Sequence, residues 1–316
     1  FTTGCSSKDM KIFVTGGAGF IGNHLVDSLL KAGNKVTIYD NLKNSSESKI
    51  SHLLKNGASF VKGDVTDHQT LSNAIAGFDL VVHLAAEIDV QESIKSPEHT
   101  HHVNVTGTVN LLRSCVAQKV RNVIAASSAA VFGNPKDLPL SENSQTIPIS
   151  PYGASKLAIE HYMQAFSNSY DLNCITLRLF NVYGKGQSGP YAGVITKFME
   201  KIVDNKPLVI FGDGSNTRDF VSVYDVVQSI QNAITKIEGK KGNVYNIANG
   251  KYTTIEDLAK LMISVSGKPL SIEHKQPKKG DIQHSQTSIW LAQRDLGYSP
   301  KIQLKEGLEM LLKSTS

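Results

Sequence analysis

The chain alternates short apolar runs with longer segments in which apolar residues recur every three or four positions. The apolar runs are rich in β-branched residues and lie at 11–15, 35–40, 58–64, 80–85, 122–128 and 174–180. Between them, stretches such as 24–33 and 103–118 have the apolar period of amphipathic helices. Strands that are apolar throughout and separated by helices are typical of a parallel sheet buried on both faces. The pattern therefore predicts a doubly wound α/β fold.

The βα rhythm breaks after residue 180, where the elements become irregular. A glycine-rich loop at 184–193 is followed by predicted helices at 194–204 and 225–237, an apolar run at 207–214 and a late strand at 244–250. We expect a first domain formed by 10–183 plus 224–250, and a smaller C-terminal substrate-binding lobe formed by 184–223 plus 251–316. The polar residues 1–9 lack the apolar core of a signal peptide and are predicted to be a tail outside the fold.

Composition places the chain among ordinary globular proteins. It has 316 residues, 40% of them hydrophobic, and a net charge of +5 that is not concentrated in a basic block. No run approaches the ~18 apolar residues of a membrane span. The three cysteines, Cys5, Cys115 and Cys174, show no CxxC spacing and favour reduced thiols. We therefore expect a cytoplasmic protein that binds neither nucleic acid nor a membrane.

The first strand runs directly into a glycine-rich turn, Gly16-Gly17-Ala18-Gly19-Phe20-Ile21-Gly22. Glycines at this point allow a tight turn, a close approach of backbone N–H groups to a pyrophosphate, and close packing of helix on strand. The helix that follows directs its positive N-terminus toward the same phosphates. Because the motif follows a strand and opens a helix, it predicts a dinucleotide site of the Rossmann fold.

Asp40 ends the second strand, 18 residues after Gly22. A carboxylate there accepts hydrogen bonds from ribose hydroxyls and repels the 2′-phosphate of NADP. No arginine stands beside it, and Lys43 is the nearest cation, so the sequence favours NAD. Asp64, at the end of the third strand, is placed to meet the adenine end of the cofactor, although a turn role explains it equally well.

Ser150 and Pro151 predict the start of a helix, as N-cap and first helical residue. Tyr152 and Lys156 then lie four residues apart on one helical face. A free tyrosine has a pKa near ~10, and we expect the neighbouring ammonium and the positive ring of NAD⁺ to lower it, which makes the phenol a usable base. Ser128 ends a predicted parallel strand, where ligands bind in such sheets.

Two other kinds of site receive less support. The chain has no G-x-S-x-G nucleophile elbow, which argues against a hydrolase. His99, His101 and His102 cluster on a predicted helix without cysteines or carboxylates at ligand spacing, so we expect a solvated or interface face and no metal site.

Ten motifs occur in one order along the chain: TGGAGFIG, YDNL, GDVTD, HLAA, ES-x4-PE, NVTGT, SSAAVFG, YGASK, RLFNVYG and FGDG-x2-TRDFV. Because it carries these motifs in this order, the chain resembles the extended short-chain dehydrogenase/reductases, and within them the UDP-glucose 4-epimerase-like enzymes. The resemblance extends from Met10 to about Tyr298. It implies a Rossmann fold, a resident NAD, a UDP-sugar substrate and a homodimer formed through helices 103–118 and 152–169.

The resemblance also implies roles for individual residues. It makes Tyr152 the base, Lys156 its electrostatic partner and a ligand of the cofactor ribose, and Ser128 the residue that binds the sugar 4-oxygen. The implied cofactor contacts are Gly16, Gly19, Phe20, Ile21, Gly22, Asp40, Asn41, Asp64, Val65, Leu84, Ala85, Ala86, Tyr152 and Lys156. The implied substrate contacts are Ser128, Asn181, Arg218, Asp281 and Ser285, with Arg218 on the diphosphate and Asp281 on the uridine ribose.

Related dehydratases and decarboxylases carry an acid just after the serine, where this chain has Ala129 and Ala130. The resemblance therefore implies reversible oxidation at one carbon, the 4-epimerisation of UDP-glucose and UDP-galactose. Ser285 replaces a large tyrosine of some members, which extends the expectation to UDP-GlcNAc and UDP-GalNAc. UDP-glucuronate epimerisation, oxidation of a small metabolite such as L-threonine, and a non-catalytic NAD sensor remain as alternatives.

Overall fold

The computed structural model describes residues 9–135, 137–187, 193–277 and 285–314. Its strands are β1 (Lys11–Thr15), β2 (Lys35–Asp40), β3 (Ser59–Lys62), β4 (Leu80–His83), β5 (Asn122–Ser128), β6 (Asn173–Leu179), β7 (Asn181–Tyr183), β8 (Leu208–Phe211), β9 (Thr217–Ser222), β10 (Lys241–Ile247), β11 (Tyr252–Thr254) and β12 (Ile272–Lys275).

The α-helices are α1 (Phe20–Lys31), α2 (Glu47–Lys55), α3 (His68–Ala74), α4 (Val90–Lys95), α5 (Pro97–His101), α6 (Gly107–Ala117), α7 (Pro151–Tyr170), α8 (Val194–Val203), α9 (Val223–Thr235), α10 (Ile255–Ser266), α11 (Trp290–Leu296) and α12 (Leu304–Lys313). A π-helical segment, His102–Thr106, precedes α6, and a short 3₁₀ turn, Ala129–Phe132, follows β5.

Seven strands form one sheet in the order β10-β6-β5-β4-β1-β2-β3. β1 pairs in parallel with β2 and β4, β2 with β3, and β4 with β5. The chain leaves β1 toward one side and later returns to β4 on the other, so the order reverses beside β1, where ligands bind in doubly wound sheets. The predicted Rossmann fold is confirmed.

Burial follows the apolar pattern of the sequence. All four residues of β4 and all seven of β6 are buried, as expected for strands covered on both faces. Helix α1 buries Gly22, Leu25, Val26 and Leu29, which are spaced three or four residues apart.

Element limits differ from the predictions where local geometry intervenes. The first helix begins at Phe20, four residues before the predicted 24, because the glycine-rich turn ends at Gly19 and the helix starts there. The predicted helix 103–118 begins with the π-helical segment, which a 3.6-residue apolar period cannot distinguish from an α-helix. The late strand lies at Lys241–Ile247 and not at 244–250.

The chain divides into two compact units. The first runs to Val131 and includes Pro148–Arg178 and Val227–Tyr245; the second comprises Phe132–Ile147, Leu179–Val226 and the residues from Asn246 onward. The first has a core of strand residues such as Phe13, Val81 and Val123 packed with helix residues such as Leu111 and Met163. The domain limits inferred from the sequence stay a prediction.

The second unit has its own core. Residues of α8, α10 and strands β8 and β9 meet in it, among them Phe198, Leu208, Phe220, Leu258 and Met262. Within this unit β9 pairs in parallel with β7 and in antiparallel fashion with β11. In the described part of the chain, no helix combines the length and apolar character needed to cross a membrane.

Candidate active site

The glycine-rich turn packs directly against the end of β4. Gly16 has a φ of +68°, and a Cβ there would lie 2.6 Å from the Ala85 nitrogen, so only glycine fits without strain. A Cβ on Gly22 would overlap the Gly16 carbonyl oxygen. The turn is closed by a hydrogen bond from Gly19 N–H to Gly16 O, 3.1 Å long.

The N-cap of helix α1 is Gly19, which has no side chain with which to cap the helix. The amide groups of its first turn, including those of Phe20 and Ile21, therefore need partners from elsewhere. A phosphate supplies such partners and is favoured by the positive end of the helix. The residues present fit the pyrophosphate of a dinucleotide.

Asp40 lies at the end of β2, beside this turn. Its Oδ2 accepts a hydrogen bond from Ala18 N–H at 3.1 Å and its Oδ1 accepts one from Leu42 N–H at 2.8 Å. Burial raises the pKa of Asp40, and these two hydrogen bonds oppose that rise. Each carboxylate oxygen keeps acceptor capacity for a ribose hydroxyl.

The third strand brings Asn41, Asp64 and Val65 near one another. Asn41 Nδ2 donates to Asp64 Oδ2 at 2.8 Å, and Thr66 donates to Asp64 Oδ1 through both its N–H and its hydroxyl. Burial raises the pKa of Asp64, but these hydrogen bonds outweigh it and leave the pKa below its ordinary value. Val65 is buried, in contact range of Gly107. The structure thus gives Asp64 the turn role, and its contact with the cofactor stays a prediction.

Residues Leu84, Ala85 and Ala86 form the loop after β4. Leu84 N–H donates to Thr15 O at 3.0 Å, and Ala85 N–H donates to the Thr15 hydroxyl at 3.3 Å. The predicted strand 80–85 therefore ends at His83, and its last two residues belong to this loop. The loop lies against Gly16, at the switch point of the sheet.

Ser128, Tyr152 and Lys156 come together in the first unit. Ser128 ends β5, and Tyr152 and Lys156 lie one turn apart near the start of α7. The helix begins as predicted: Ser150 Oγ accepts a hydrogen bond from Gly153 N–H at 3.1 Å, and Pro151 is the first helical residue. The Ser128 and Tyr152 hydroxyls form a hydrogen bond.

The pKa of Tyr152 departs from the sequence expectation. Burial raises it above its ordinary value, and the hydrogen bond with Ser128 opposes that rise. Lys156 Nζ lies 5.9 Å from the centroid of the tyrosine ring and donates to Ala126 O at 3.0 Å. Burial also lowers the pKa of Lys156 to about 8. In the chain without cofactor the lysine does not lower the tyrosine pKa below its ordinary value, because desolvation penalises both charged forms. The lowering expected with NAD⁺ bound stays a prediction.

The backbone of Tyr152 is held at both of its polar groups. Its N–H donates to Ser93 Oγ at 3.1 Å, and its carbonyl accepts from Ser155 Oγ at 2.7 Å. Ser155 in turn accepts a hydrogen bond from Asn104 Nδ2 at 2.9 Å. Asn104, in the π-helical segment, also donates to Glu87 O and accepts from Glu87 N–H. One buried amide thus connects the loop after β4 to the helix that carries Tyr152.

A buried ion pair fixes the same helix to the sheet. Glu160, four residues after Lys156, accepts two hydrogen bonds from the guanidinium of Arg178 on β6, at 2.9 and 2.7 Å. It also accepts one from Ser127 Oγ at 2.6 Å. Both charged side chains are at least 94% buried, with exposures of 6% and 4%. Since Ser127 precedes Ser128, the pair ties the strand of the serine to the helix of the tyrosine.

A buried histidine, His83, ends β4 beneath the site. Thr108 Oγ1 donates to Asn104 O at 2.6 Å, so it accepts from His83 Nε2, which lies 3.0 Å away. His83 Nδ1 then accepts from the Thr15 hydroxyl at 2.7 Å. Burial, with Lys156 as a second cause, lowers the pKa of His83 to about 3, so the imidazole is neutral.

Sequence reasoning missed Ser93, Asn104, Ser155 and Glu160, although all four lie in or beside the quoted motifs. For Glu160 a signal existed, because a carboxylate four residues after Lys156 continues the face that carries Tyr152. For the other three the signal lies in partners distant along the chain, which no spacing reveals.

Of the predicted substrate residues that the structure describes, Ser128 lies in the first unit and the others lie in the second unit. Asn181 begins β7 and pairs with Phe220 of β9, two residues beyond Arg218. Arg218 is partly buried, and its Nη1 donates to Thr217 O at 2.8 Å. Ser285 is 7% exposed, and its N–H donates to Thr217 Oγ1 at 3.2 Å. The β7–β9 pairing and the Ser285 hydrogen bond thus join residues up to 68 positions apart in the sequence. Asp281 lies outside the described residues.

The model of the NAD dependent epimerase/dehydratase family matches residues 12–248. The UDP-glucose 4-epimerase of Mycolicibacterium smegmatis is 38% identical over 306 residues, which cover 95% of this chain and 96% of the relative.

Two solved structures are similar over nearly the whole chain, each with a TM-score of 0.91 and 34% identity, covering 97% of this chain and 98% of the other. They are the UDP-glucose 4-epimerase of Thermotoga maritima with UDP-glucose and the UDP-N-acetylglucosamine 4-epimerase of Methanobrevibacter ruminantium in complex with UDP-N-acetylmuramic acid.

Proposed function

The chain belongs to the NAD dependent epimerase/dehydratase family, and from this premise we propose that it is an NAD-dependent 4-epimerase of UDP-hexoses. The observation that carries the proposal is the meeting of Ser128, Tyr152 and Lys156 beside the carboxyl ends of parallel strands. UDP-glucose and UDP-galactose are its substrates, interconverted through a transient 4-keto sugar.

Tyr152 takes the proton of the sugar 4-hydroxyl and later returns it. NAD, when bound, supplies the acceptor and donor of hydride and a positively charged ring in its oxidised form. Because burial raises the pKa of Tyr152, the phenolate needs stabilisation from its surroundings as it forms. Lys156, charged below pH about 8, supplies a cation, and Ser128 supplies a hydrogen bond.

Ser128 also orients the sugar oxygen toward Tyr152, since a hydroxyl donates and accepts at once. The two residues that follow it, Ala129 and Ala130, carry no acid. Without a second proton-transfer group at that point, the chemistry ends with oxidation and reduction of one carbon. This favours epimerisation over dehydration.

Arg218, Asn181 and Asp281 hold the nucleotide diphosphate and ribose in this proposal. A guanidinium suits phosphate oxygens because its planar fork donates two parallel hydrogen bonds. Anchoring the nucleotide leaves the 4-keto sugar free to turn and present its opposite face.

Ser285 extends the proposal to N-acetylhexosamines. Its small side chain is buried next to Thr217 on the strand that carries Arg218. A small residue there leaves room for an acetamido group, and we therefore include UDP-GlcNAc and UDP-GalNAc among the substrates.

Incubation with single UDP-sugars, without added reductant, tests the function. We expect C4 epimers to appear by NMR, and Tyr152→Phe to reduce the rate by several orders of magnitude while NAD stays bound. Accumulation of free NADH with an oxidised product would identify a dehydrogenase. If only UDP-glucuronate were converted, the substrate would be a UDP-uronic acid and not a UDP-hexose. NAD binding without turnover of any UDP-sugar would identify a non-catalytic NAD sensor.

The Ser285→Tyr variant tests the substrate range. It should lose activity on UDP-GlcNAc and keep activity on UDP-glucose, because only the larger sugar needs the space. Equal loss on both sugars would contradict the role given to Ser285.

We also propose that the protein is a cytoplasmic homodimer paired through α6 and α7, as the family resemblance implies. Cys115 and Cys174 are buried and unpaired, consistent with a reducing compartment. Sedimentation velocity of the purified chain tests the dimer, and a single monomeric species at micromolar concentration would contradict it.

A further inference from the structure

Lys43 and Glu87 form an ion pair beside the dinucleotide site. Lys43 Nζ lies 2.5 Å from Glu87 Oε1, and His99 Nε2 lies 3.0 Å from the same nitrogen. The glutamate side chain is 14% exposed and the lysine side chain 49% exposed. The lysine nearest to Asp40 thus pairs with a carboxylate of another loop.

The sheet order gives this pair its position. Lys43 follows β2 and Glu87 follows β4, and β1 lies between those two strands. The pair therefore joins the loops on either side of β1, whose carboxyl end continues into the glycine-rich turn. A dinucleotide in such a sheet lies across this point.

Both loops are fixed by their backbones. Glu87 exchanges two hydrogen bonds with the buried Asn104, through its N–H and its carbonyl. On the other side, Lys43 N–H donates to Asn41 Oδ1 at 2.9 Å, and Ser45 Oγ donates to Ala18 O in the glycine-rich turn at 2.7 Å. Little chain entropy is therefore lost when the two side chains meet.

We propose that Lys43 and Glu87 form a clasp that closes over the bound NAD and slows its release. The proposal rests on the NAD site of the proposed function and adds residues that retain the cofactor without taking part in the chemistry. An epimerase needs such retention, because the hydride taken from one sugar must return before the cofactor leaves.

The test measures exchange of bound NAD. Protein loaded with radiolabelled NAD is mixed with excess unlabelled NAD, and the label that remains bound is followed after rapid desalting. Lys43→Ala and Glu87→Gln should each speed release by roughly two- to fivefold, as expected for a partly exposed ion pair. The double variant should release NAD little faster than either single variant, since the Lys43–Glu87 ion pair is lost in all three.

The exchanged pair Lys43→Glu with Glu87→Lys should restore slow release. Lys95→Ala is the matched control, because it breaks an exposed lysine–glutamate pair within α4, with Glu92 at 3.8 Å, that includes neither member of the clasp. Its release rate should equal that of the unaltered chain.

Faster release in Lys43→Ala but not in Glu87→Gln would overturn the clasp, because the lysine would then act on the cofactor directly. Unchanged release in both variants would overturn it too. Failure of the unaltered chain to hold any NAD would instead contradict the proposed function, so the two failures are distinguishable.

Discussion

Replacing Lys156 by methionine should stabilise the cofactor-free protein and abolish its activity. The side chain is 4% exposed, and burial lowers the pKa of its ammonium from 10.5 to about 8. Methionine keeps the length and apolar stem of lysine without the charge. The burial of this ammonium therefore costs stability.

The magnitude follows from the pKa. At about 1.36 kcal/mol per pKa unit, the fall to about 8 corresponds to roughly 3 kcal/mol of destabilisation in the charged state. The variant also loses the hydrogen bond from Lys156 to Ala126 O, worth about 1 kcal/mol. We expect Lys156→Met to be more stable by about 2 kcal/mol at pH 7.

The stability difference between the two proteins should depend on pH. Below pH about 8 the lysine is charged in both the folded and the unfolded chain, and the full penalty applies. Between pH about 8 and 10.5 the unfolded chain binds more protons than the folded chain, so the stability of the unaltered protein rises with pH. Methionine does not titrate, and the advantage of the variant should therefore shrink across that range.

Urea unfolding of NAD-free protein at several pH values between 7 and 10.5 measures the difference directly. All other titrating groups are common to both proteins and cancel. A variant that is less stable at pH 7, or an advantage that does not change with pH, would refute the assignment of a destabilising buried ammonium. Retained epimerisation in the variant would separately contradict the role proposed for Lys156.

Two further predictions concern the residues that hold α7. Glu160→Gln leaves the buried Arg178 without its paired charge and should lower the free energy of unfolding by roughly 3–5 kcal/mol. The double variant Glu160→Leu with Arg178→Met should recover most of that loss, because no buried charge is then left unpaired. A double variant as unstable as the single one would contradict this account of the ion pair. Ser155→Ala removes the hydroxyl that connects the carbonyl of Tyr152 to Asn104, and should reduce kcat by about tenfold with little change in KM. Ser167→Ala removes a similarly buried hydroxyl farther along the same helix, where Ser167 donates to Leu172 O, and should leave kcat unchanged; equal effects of the two serine variants would argue for a general loss of helix stability.

Local features of this protein were determined by the sequence alone. The strand 35–40 and the strand 122–128 are found with their predicted limits, because the apolar residues of each segment are concentrated within one short run. Ser150 caps α7 and places Tyr152 and Lys156 one turn apart, since capping and helical spacing depend on residues at most four positions away. The glycine-rich turn is equally local.

Tertiary structure decided which distant groups come into contact and how completely they are buried from water. The sequence contains Arg178, Asn104 and Glu87 without indicating that they reach Glu160, Ser155 and Lys43, because such pairings depend on strand order and on loops that meet across the sheet. It also did not show that, in the chain without cofactor, burial raises the pKa of Tyr152, because spacing shows the nearby cation but not the loss of water around both groups. Helix caps, turns and helical spacing are determined by neighbouring residues, whereas desolvation and long-range hydrogen bonds exist only once the chain has folded.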